Sequence, residues 1–355
     1  MRRSPLVLAS CVAIAAVLTG CANGSTTSQG ASASPTTSAA AAAPAATSAA
    51  AAPATTGSAP AAAAATPNKL EALPAGTALP TATGAYGTKP ALTFPTKSGP
   101  PKTVQTKILK QGTGPVVAKG DLLVADYLGQ IWGGTVFDNS YDRKAPTGFR
   151  IGAGKVIPGW DSTLVGVKAG SRILLSIPPA EGYGASGQSS AGISGTDTLV
   201  FVVDVISSYD KTASADPKAV AQTLPQTLPQ VSGPLTGAPT VTFPKTAAEP
   251  TKTTTTLVAK GTGAAVGAST VVLQYFVESW QGQTVASTRT DGAPIAVTIG
   301  GTTPSVFDAL KGLPVGSRVL ISIPKSSRQT SASASPTTEP SVAVVVDIAA
   351  VVPAG

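Results

Sequence analysis

Residues 103–109, 121–131, 172–177 and 198–206 alternate apolar with polar positions or run as β-branched blocks, each bounded by Gly or Pro. Blocks of that length and period predict β-strands. The same texture returns at 271–277, 318–323 and 342–346. Helical signals are confined to two short places. Pro158-Gly159 introduces one over 160–167, and the other spans 304–311, with Thr303 as N-cap and Pro304 at the first helical position. Residues 22–90 differ in kind: Ala, Thr, Ser, Pro and Gly dominate, and Lys69, Glu71 and Lys89 are the only charges. Their Ala runs lack caps and an apolar face, so this stretch reads as a flexible, disordered tether. A Pro/Gln/Thr-rich linker is expected over 210–240.

The strand-rich stretches resemble each other. Leu92-Thr93-Phe94-Pro95 is answered by Val241-Thr242-Phe243-Pro244, and Gly112-Thr113-Gly114 by Gly261-Thr262-Gly263, both at an offset of 149 (241 − 92). Ile151-Gly152 matches Ile299-Gly300 at 148, and Gly170-Ser171-Arg172 matches Gly316-Ser317-Arg318 at 146. A slowly drifting offset is what small loop deletions between related modules leave behind. The expected organisation is therefore a leader over 1–20, a tether over 21–90, one module over 91–209, a linker over 210–240 and a second module over 241–355. Each module suffices for one core. Many antiparallel strands with a single short helix predict an α+β fold class for both.

Composition narrows the chemistry. The chain of 355 residues has no His and only Cys11 and Cys21. Those absences exclude His-based triads, His-ligated metals, Cys-zinc sites and a disulfide framework, so no metal and no cofactor are expected. Arg2 and Arg3 precede an apolar run over 5–18, too short to span a bilayer comfortably. The run ends in Leu18-Thr19-Gly20-Cys21, which resembles a bacterial lipobox and implies lipid acylation at Cys21. An ordinary secretory signal with a chance Cys is the plainer alternative. Both imply export, and the first anchors the protein to the cell membrane, facing outside the cytoplasm. The net charge of +8 is spread over dispersed Lys and Arg without aromatic interleaving, so no nucleic-acid partner is expected.

The first module carries Tyr127, then Val136-Phe137-Asp138-Asn139-Ser140, then Val156-Ile157-Pro158-Gly159-Trp160, then Gly182-Tyr183-Gly184 and Leu199-Val200-Phe201. In this order and spacing the stretch from 105 to 208 resembles an FKBP-type peptidyl-prolyl cis-trans isomerase. The resemblance implies a curved sheet of about five antiparallel strands wrapped on one short helix. It implies a pocket with Trp160 as floor and Tyr127, Phe137, Val156, Ile157 and Phe201 as walls, with Asp138 and Tyr183 as its polar rim. Arg143, Phe149 and Ile193 would flank the substrate, and the Ile157 backbone N–H would bond the peptide or a macrolide inhibitor. The implied partners are proline-containing exported polypeptides. Thr147 and Lys155 depart from the family pattern, as does a Ser/Gly-rich loop over 185–197 without a proline pair.

Taken singly, these residues have plainer readings. Trp160, Phe137 and Phe201 are ordinary core types, Asp138-Asn139-Ser140 is a plausible turn, and Arg143 and Tyr183 are ordinary loop residues. Only their joint pattern points to a site. Two functions compete: an isomerase, and a chaperone-like adaptor that holds proline-containing segments without turnover. The second module keeps Tyr275 and Phe307, aligned with Tyr127 and Trp160. Val285-Ala286 replaces Phe137-Asp138, Asp291 replaces Arg143 and Val344 replaces Phe201. A degenerate FKBP-like module without the catalytic groups is expected.

Overall fold

The computed structural model describes residues 78–302, 304–325 and 340–352. The expected leader, Cys21, most of the tether and Thr303 lie outside the described residues. A hairpin of β1 (Thr81–Thr83) and β2 (Ala91–Thr93) precedes a sheet built from β3 (Gln105–Lys110), β4 (Leu122–Ile131), β5 (Val136–Asn139), β6 (Thr147–Arg150), β7 (Arg172–Ile177) and β8 (Leu199–Tyr209). Helix α1 (Pro158–Thr163) lies between β6 and β7. Next come β9 (Val220–Ala221) and a second hairpin of β10 (Gln230–Ser232) and β11 (Thr240–Thr242). The second sheet contains β12 (Thr254–Lys260), β13 (Thr270–Ser279), β14 (Thr284–Ser287), β15 (Ile295–Thr298), β16 (Arg318–Ile323) and β17 (Val342–Val351), with the four-residue helix α2 (Thr288–Asp291) after β14.

Among the described residues every pairing is antiparallel. The first order is β3-β7-β8-β4-β5 with β6 also on β4; the second is β14-β13-β17-β16-β12-β9 with β15 on β13. Apart from β9, the second order repeats the first through the counterparts β12, β16, β17, β13 and β14. Registers agree as well: Gly129 faces Phe201 and Asp138, while Val277 faces Val344 and Ala286.

Both faces of each sheet are covered, which explains why the central strands are apolar nearly throughout. Leu123, Ala125, Ile173, Leu175 and Val203 point to the α1 side. Leu174, Val200 and Val202 point to the opposite side, where Leu79, Ala82, Leu92 and Phe94 of the first hairpin cover them. In the second sheet Leu320, Ala343 and Val345 meet Val231, Val241 and Phe243 of the second hairpin. Leu122 and Val124 pack on Val272, Ala296 and Ala350, joining the two sheets.

The two hairpins run across 90/91 and 240/241, where the tether and linker were expected to end. Residues 81–83 and 230–232 belong to the ordered layers, because their apolar side chains have a sheet face to cover. A buried ion pair fixes the first hairpin. Arg172 bonds Asp204 through Nε (2.6 Å) and Nη2 (2.7 Å), donates to Gly84 O (2.6 Å) and Thr88 O (2.7 Å), and Gly87 N donates to the same carboxylate (2.8 Å). Arg318 repeats the plan with Asp347 and the carbonyls of Leu235 and Gly237.

Both helices are shorter than the sequence suggests. α1 starts at Pro158 with Ile157 as N-cap and stops at Thr163. Beyond it the backbone is captured by residues 115–117: Gly166 N bonds Val117 O, and Val117 N bonds Val167 O, both at 2.8 Å. The second is a 3₁₀ turn over Val306–Leu310, capped by Ser305 rather than Thr303. Ser305 Oγ accepts from Phe307 N (3.2 Å), and Asp308 accepts from Ser305 N (2.8 Å). Such a reciprocal box sets where the helical turn begins.

Candidate active site

Four strands aim aromatic side chains at one helix residue. Tyr127 on β4, Phe137 on β5, Phe149 on β6 and Phe201 on β8 converge on Trp160 of α1. Period-two geometry sets this up, since Tyr127 shares its face with the core residues Leu123 and Ala125. The Trp160 ring meets Phe149 at 4.7 Å, Phe201 at 5.2 Å and Tyr127 at 5.8 Å, all edge-on, and Phe137 meets Phe201 at 5.6 Å. Such pairs contribute about 0.5–1.5 kcal/mol each beyond area burial. Gly129 permits this closeness, because a Cβ there would lie 2.6 Å from the Phe137 ring and 2.8 Å from that of Phe201. Trp160 is 3% exposed, and its Nε1 has no acceptor among the described residues.

A polar rim borders the rings. The Asp138 carboxylate accepts from the Tyr127 hydroxyl and from Arg143 Nη1, while Arg143 Nη2 donates to the same hydroxyl at 2.9 Å. Burial, then the bonded Asp138 carboxylate, push Tyr127 ionisation far above the ordinary phenol range, so it stays a donor. Tyr183 is half-buried nearby. Burial, followed by the Asp138 charge, raises its pKa too, and its hydroxyl has no partner among the described residues.

Ile157, as N-cap, turns its carbonyl into α1, accepting from Trp160 N (2.9 Å) and Asp161 N (3.2 Å). Its own N–H meets no acceptor among the described residues. The loop carrying Val156 is pinned by Asp161, whose oxygens accept from Gly152 N (2.7 Å) and Gly154 N (2.6 Å). Ile193 is buried on the core, its loop closed by paired backbone bonds with Gln188 at 2.8 and 3.0 Å. Nine of the eleven residues expected at the pocket share one core cluster with Trp160, and the other two, Asp138 and Arg143, bond Tyr127 at its edge. Phe149, expected only to flank it, touches both Tyr127 and Trp160, whereas Thr147 is buried opposite Ala125 on the neighbouring strand.

Motif reading missed the loop's supports. Ser140 Oγ accepts from Tyr127 N (2.9 Å) and donates to Asp126 (2.6 Å). Tyr141 Oη donates to Asp204 (2.9 Å), and Lys89 of the first hairpin reaches Asp142 (2.7 Å). The repeat held a signal for the first of these. Thr288 stands 148 residues after Ser140 and accepts from Tyr275 N at 2.9 Å, while bonding Gln274 as Ser140 bonds Asp126. In the second sheet Tyr275 and Phe307 still meet, at 6.1 Å, but Val285, Ala286 and Val344 occupy the positions of Phe137, Asp138 and Phe201.

The tyrosines carry a pH signature. Burial, then the Asp204 charge, push Tyr86 up to about 12 and raise Tyr141 further. A group whose folded pKa is raised gives stability that is complete below its unfolded pKa, about 10 for Tyr. That stability is lost as pH climbs through the folded value. Urea midpoints of the first domain should hold steady up to about pH 10 and fall between about pH 10 and 12; an unchanged midpoint over that span would contradict the assignment.

Comparison with known proteins gives the family of the first sheet. The model of the FKBP-type peptidyl-prolyl cis-trans isomerase family matches residues 114–206. An FK506-binding protein of Streptomyces anulatus is 38% identical over 119 residues, covering 33% of this chain and 95% of that protein. An FK506-binding protein of Neisseria meningitidis serogroup B is 38% identical over 102 residues, covering 29% of this chain and 93% of that protein. A crystal structure of AtFKBP13 aligns at 35% identity over 30% of this chain and 93% of that one, with a TM-score of 0.28. Through its first sheet and the aromatic pocket built on it, this chain belongs to the FKBP-type family and is a peptidyl-prolyl cis-trans isomerase.

Proposed function

We propose that the protein is a lipid-anchored foldase, which accelerates X-Pro rotation in exported polypeptides at the outer face of the cell membrane through its first domain alone. The observation that carries the catalytic part is the meeting of a dry aromatic floor with an unpartnered backbone donor and an unpartnered hydroxyl, at Trp160, Ile157 and Tyr183. Rotation about X-Pro breaks amide resonance, a barrier of roughly 18–20 kcal/mol. The twisted amide is less dipolar than the planar one, so a site that excludes water favours it relatively.

In this reading the proline ring sits on Trp160 between Tyr127, Phe137, Phe149, Val156 and Phe201. The Ile157 N–H holds a carbonyl of the peptide, and the Tyr183 hydroxyl bonds the carbonyl of the turning amide. Asp138, already shared by Tyr127 and Arg143, fixes the rim and its field. Proton transfer and nucleophilic attack are not needed. A barrier lower by about 5–6 kcal/mol gives roughly 10⁴-fold acceleration. A macrolide inhibitor would occupy the same pocket.

The second domain is read as the same fold with its chemistry lost, since aliphatic residues stand where Phe137, Asp138 and Phe201 stand in the first. Export and anchoring rest on the 5–18 apolar run and Cys21. A protease-free isomerisation assay with the full chain and a short X-Pro peptide should show turnover that a macrolide of the FK506 type abolishes. Cys21→Ser should release the protein from the membrane fraction or block its processing. A variant that still matures at the same site and stays membrane-bound would overturn the anchoring reading without touching the catalytic one.

A further inference from the structure

The two buried ion pairs are built alike and balanced differently. In the first domain Arg172 spends all three nitrogens: Nε and Nη2 on Asp204, Nη2 also on Thr88 O, and Nη1 on Gly84 O at 2.6 Å. Asp204 takes one guanidinium, the Tyr141 hydroxyl and the Gly87 N–H. One positive and one negative charge are buried together.

In the second domain Arg318, 1% exposed, spends Nε and Nη2 on Asp347 and Nη2 also on Leu235 O and Gly237 O. Nη1 has no acceptor among the described residues. Gly233 stands where Gly84 would, 149 residues on, yet its carbonyl does not take that bond. Arg289, at the position of Tyr141, adds a second guanidinium to Asp347 at 2.8 Å. Two positive charges thus share one carboxylate. Beside them opens a cavity of about 390 Å³ between the β10–β11 hairpin and the β9–β12 edge, with Arg318 as the one charged residue lining it among the described residues. Gly233, Leu224, Val231 and Leu235 contribute apolar wall, and Thr223 and Ser232 contribute hydroxyls.

We infer that this cavity is a carboxylate-binding site, whose ligand sets one carboxylate on Arg318 Nη1 and an adjoining apolar group on Leu224 and Val231. The first domain supplies the precedent for the bond, since an acceptor oxygen sits on the same nitrogen of Arg172. The Arg318 side chain is 1% exposed and lines the cavity, and the excess charge from Arg289 favours an anion over a neutral acceptor there. The volume suits a ligand at the small end of the range for binding pockets. A free small carboxylate and the C-terminal end of a peptide share this chemistry. The site is independent of the prolyl pocket and does not rest on the isomerase reading.

The test is calorimetric titration of the full chain with N-acetyl-leucine and with N-acetyl-leucinamide, which differ only in the carboxylate. The acid should bind at a single site and the amide at least about tenfold more weakly, the size of a lost charge-assisted bond. Thr223→Trp, an exposed replacement that fills the cavity mouth, should abolish binding, and Arg289→Gln should weaken it about tenfold. Both variants leave the Arg318–Asp347 pair in place, so folding is preserved. A tetrapeptide ending in a free leucine carboxylate that binds much tighter than N-acetyl-leucine identifies a chain end as the ligand; equal affinity identifies a free carboxylate. Equal binding of acid and amide, no heat with either, or undiminished binding to the Thr223→Trp variant would overturn the proposal.

Discussion

Arg172→Met should cost the first domain about 3–5 kcal/mol of stability, the usual consequence of leaving one partner of a buried ion pair unpaired. The side chain is 4% exposed and its Asp204 partner 1%. Its loss also strips donors from Gly84 O and Thr88 O, so the hairpin loses its polar attachment along with its charge balance. Urea unfolding followed at Trp132, which contacts Phe94 next to that hairpin at 5.5 Å, reads the effect directly. Arg318→Met should cost less, because Arg289 remains on Asp347. Arg172→Met combined with Asp204→Leu should recover much of the loss, as apolar replacement of both partners removes the orphaned charge. A loss under about 1 kcal/mol for the single variant, the range of an exposed pair, would show that the hairpin is held by apolar contact alone.

Asp138→Asn should lower kcat/KM by about 10–100-fold, the worth of one or two charge-assisted hydrogen bonds at about 1.5–3 kcal/mol each. The carboxylate is the common acceptor of Tyr127 and Arg143, so its neutralisation loosens both rim groups at once. Stability should change little, since the Asp138 and Arg143 side chains are each about a third exposed. The variant also isolates the second domain, where Ala286 faces Val277 as Asp138 faces Gly129. If the Asp138→Asn chain retains more than half of wild-type turnover, either the carboxylate is dispensable or the second domain is itself active. Adding Phe137→Ala separates these: it removes a wall of the first pocket and leaves the second domain untouched.

Much of this was written along the chain. Apolar and β-branched runs bounded by Gly or Pro located β4, β7, β8, β13, β16 and β17, because each is long enough to stand out from its surroundings. The offset drifting from 149 to 146 suggested a second module, and the strings around Phe137, Trp160 and Tyr183 pointed to the site by their order and spacing, although Phe137 and Trp160 meet Phe201 only in the fold. Strands of three residues carry no such run. β1, β2, β10 and β11 therefore leave no periodic signal inside Pro- and Thr-rich composition.

Partners far apart in sequence decided the rest. Tyr86 bonds Val205 across 119 residues and Arg172 bonds Gly84 across 88, distances at which one-dimensional pattern holds no information on who meets whom. Helix ends were settled in the same way, by residues 115–117 capturing the backbone after α1 and by the Ser305–Asp308 box. Local propensity sets which residues favour a strand or a turn. The packing of a hairpin over a sheet face determines which of those preferences survive, because only there do the buried backbone and charged groups find their partners.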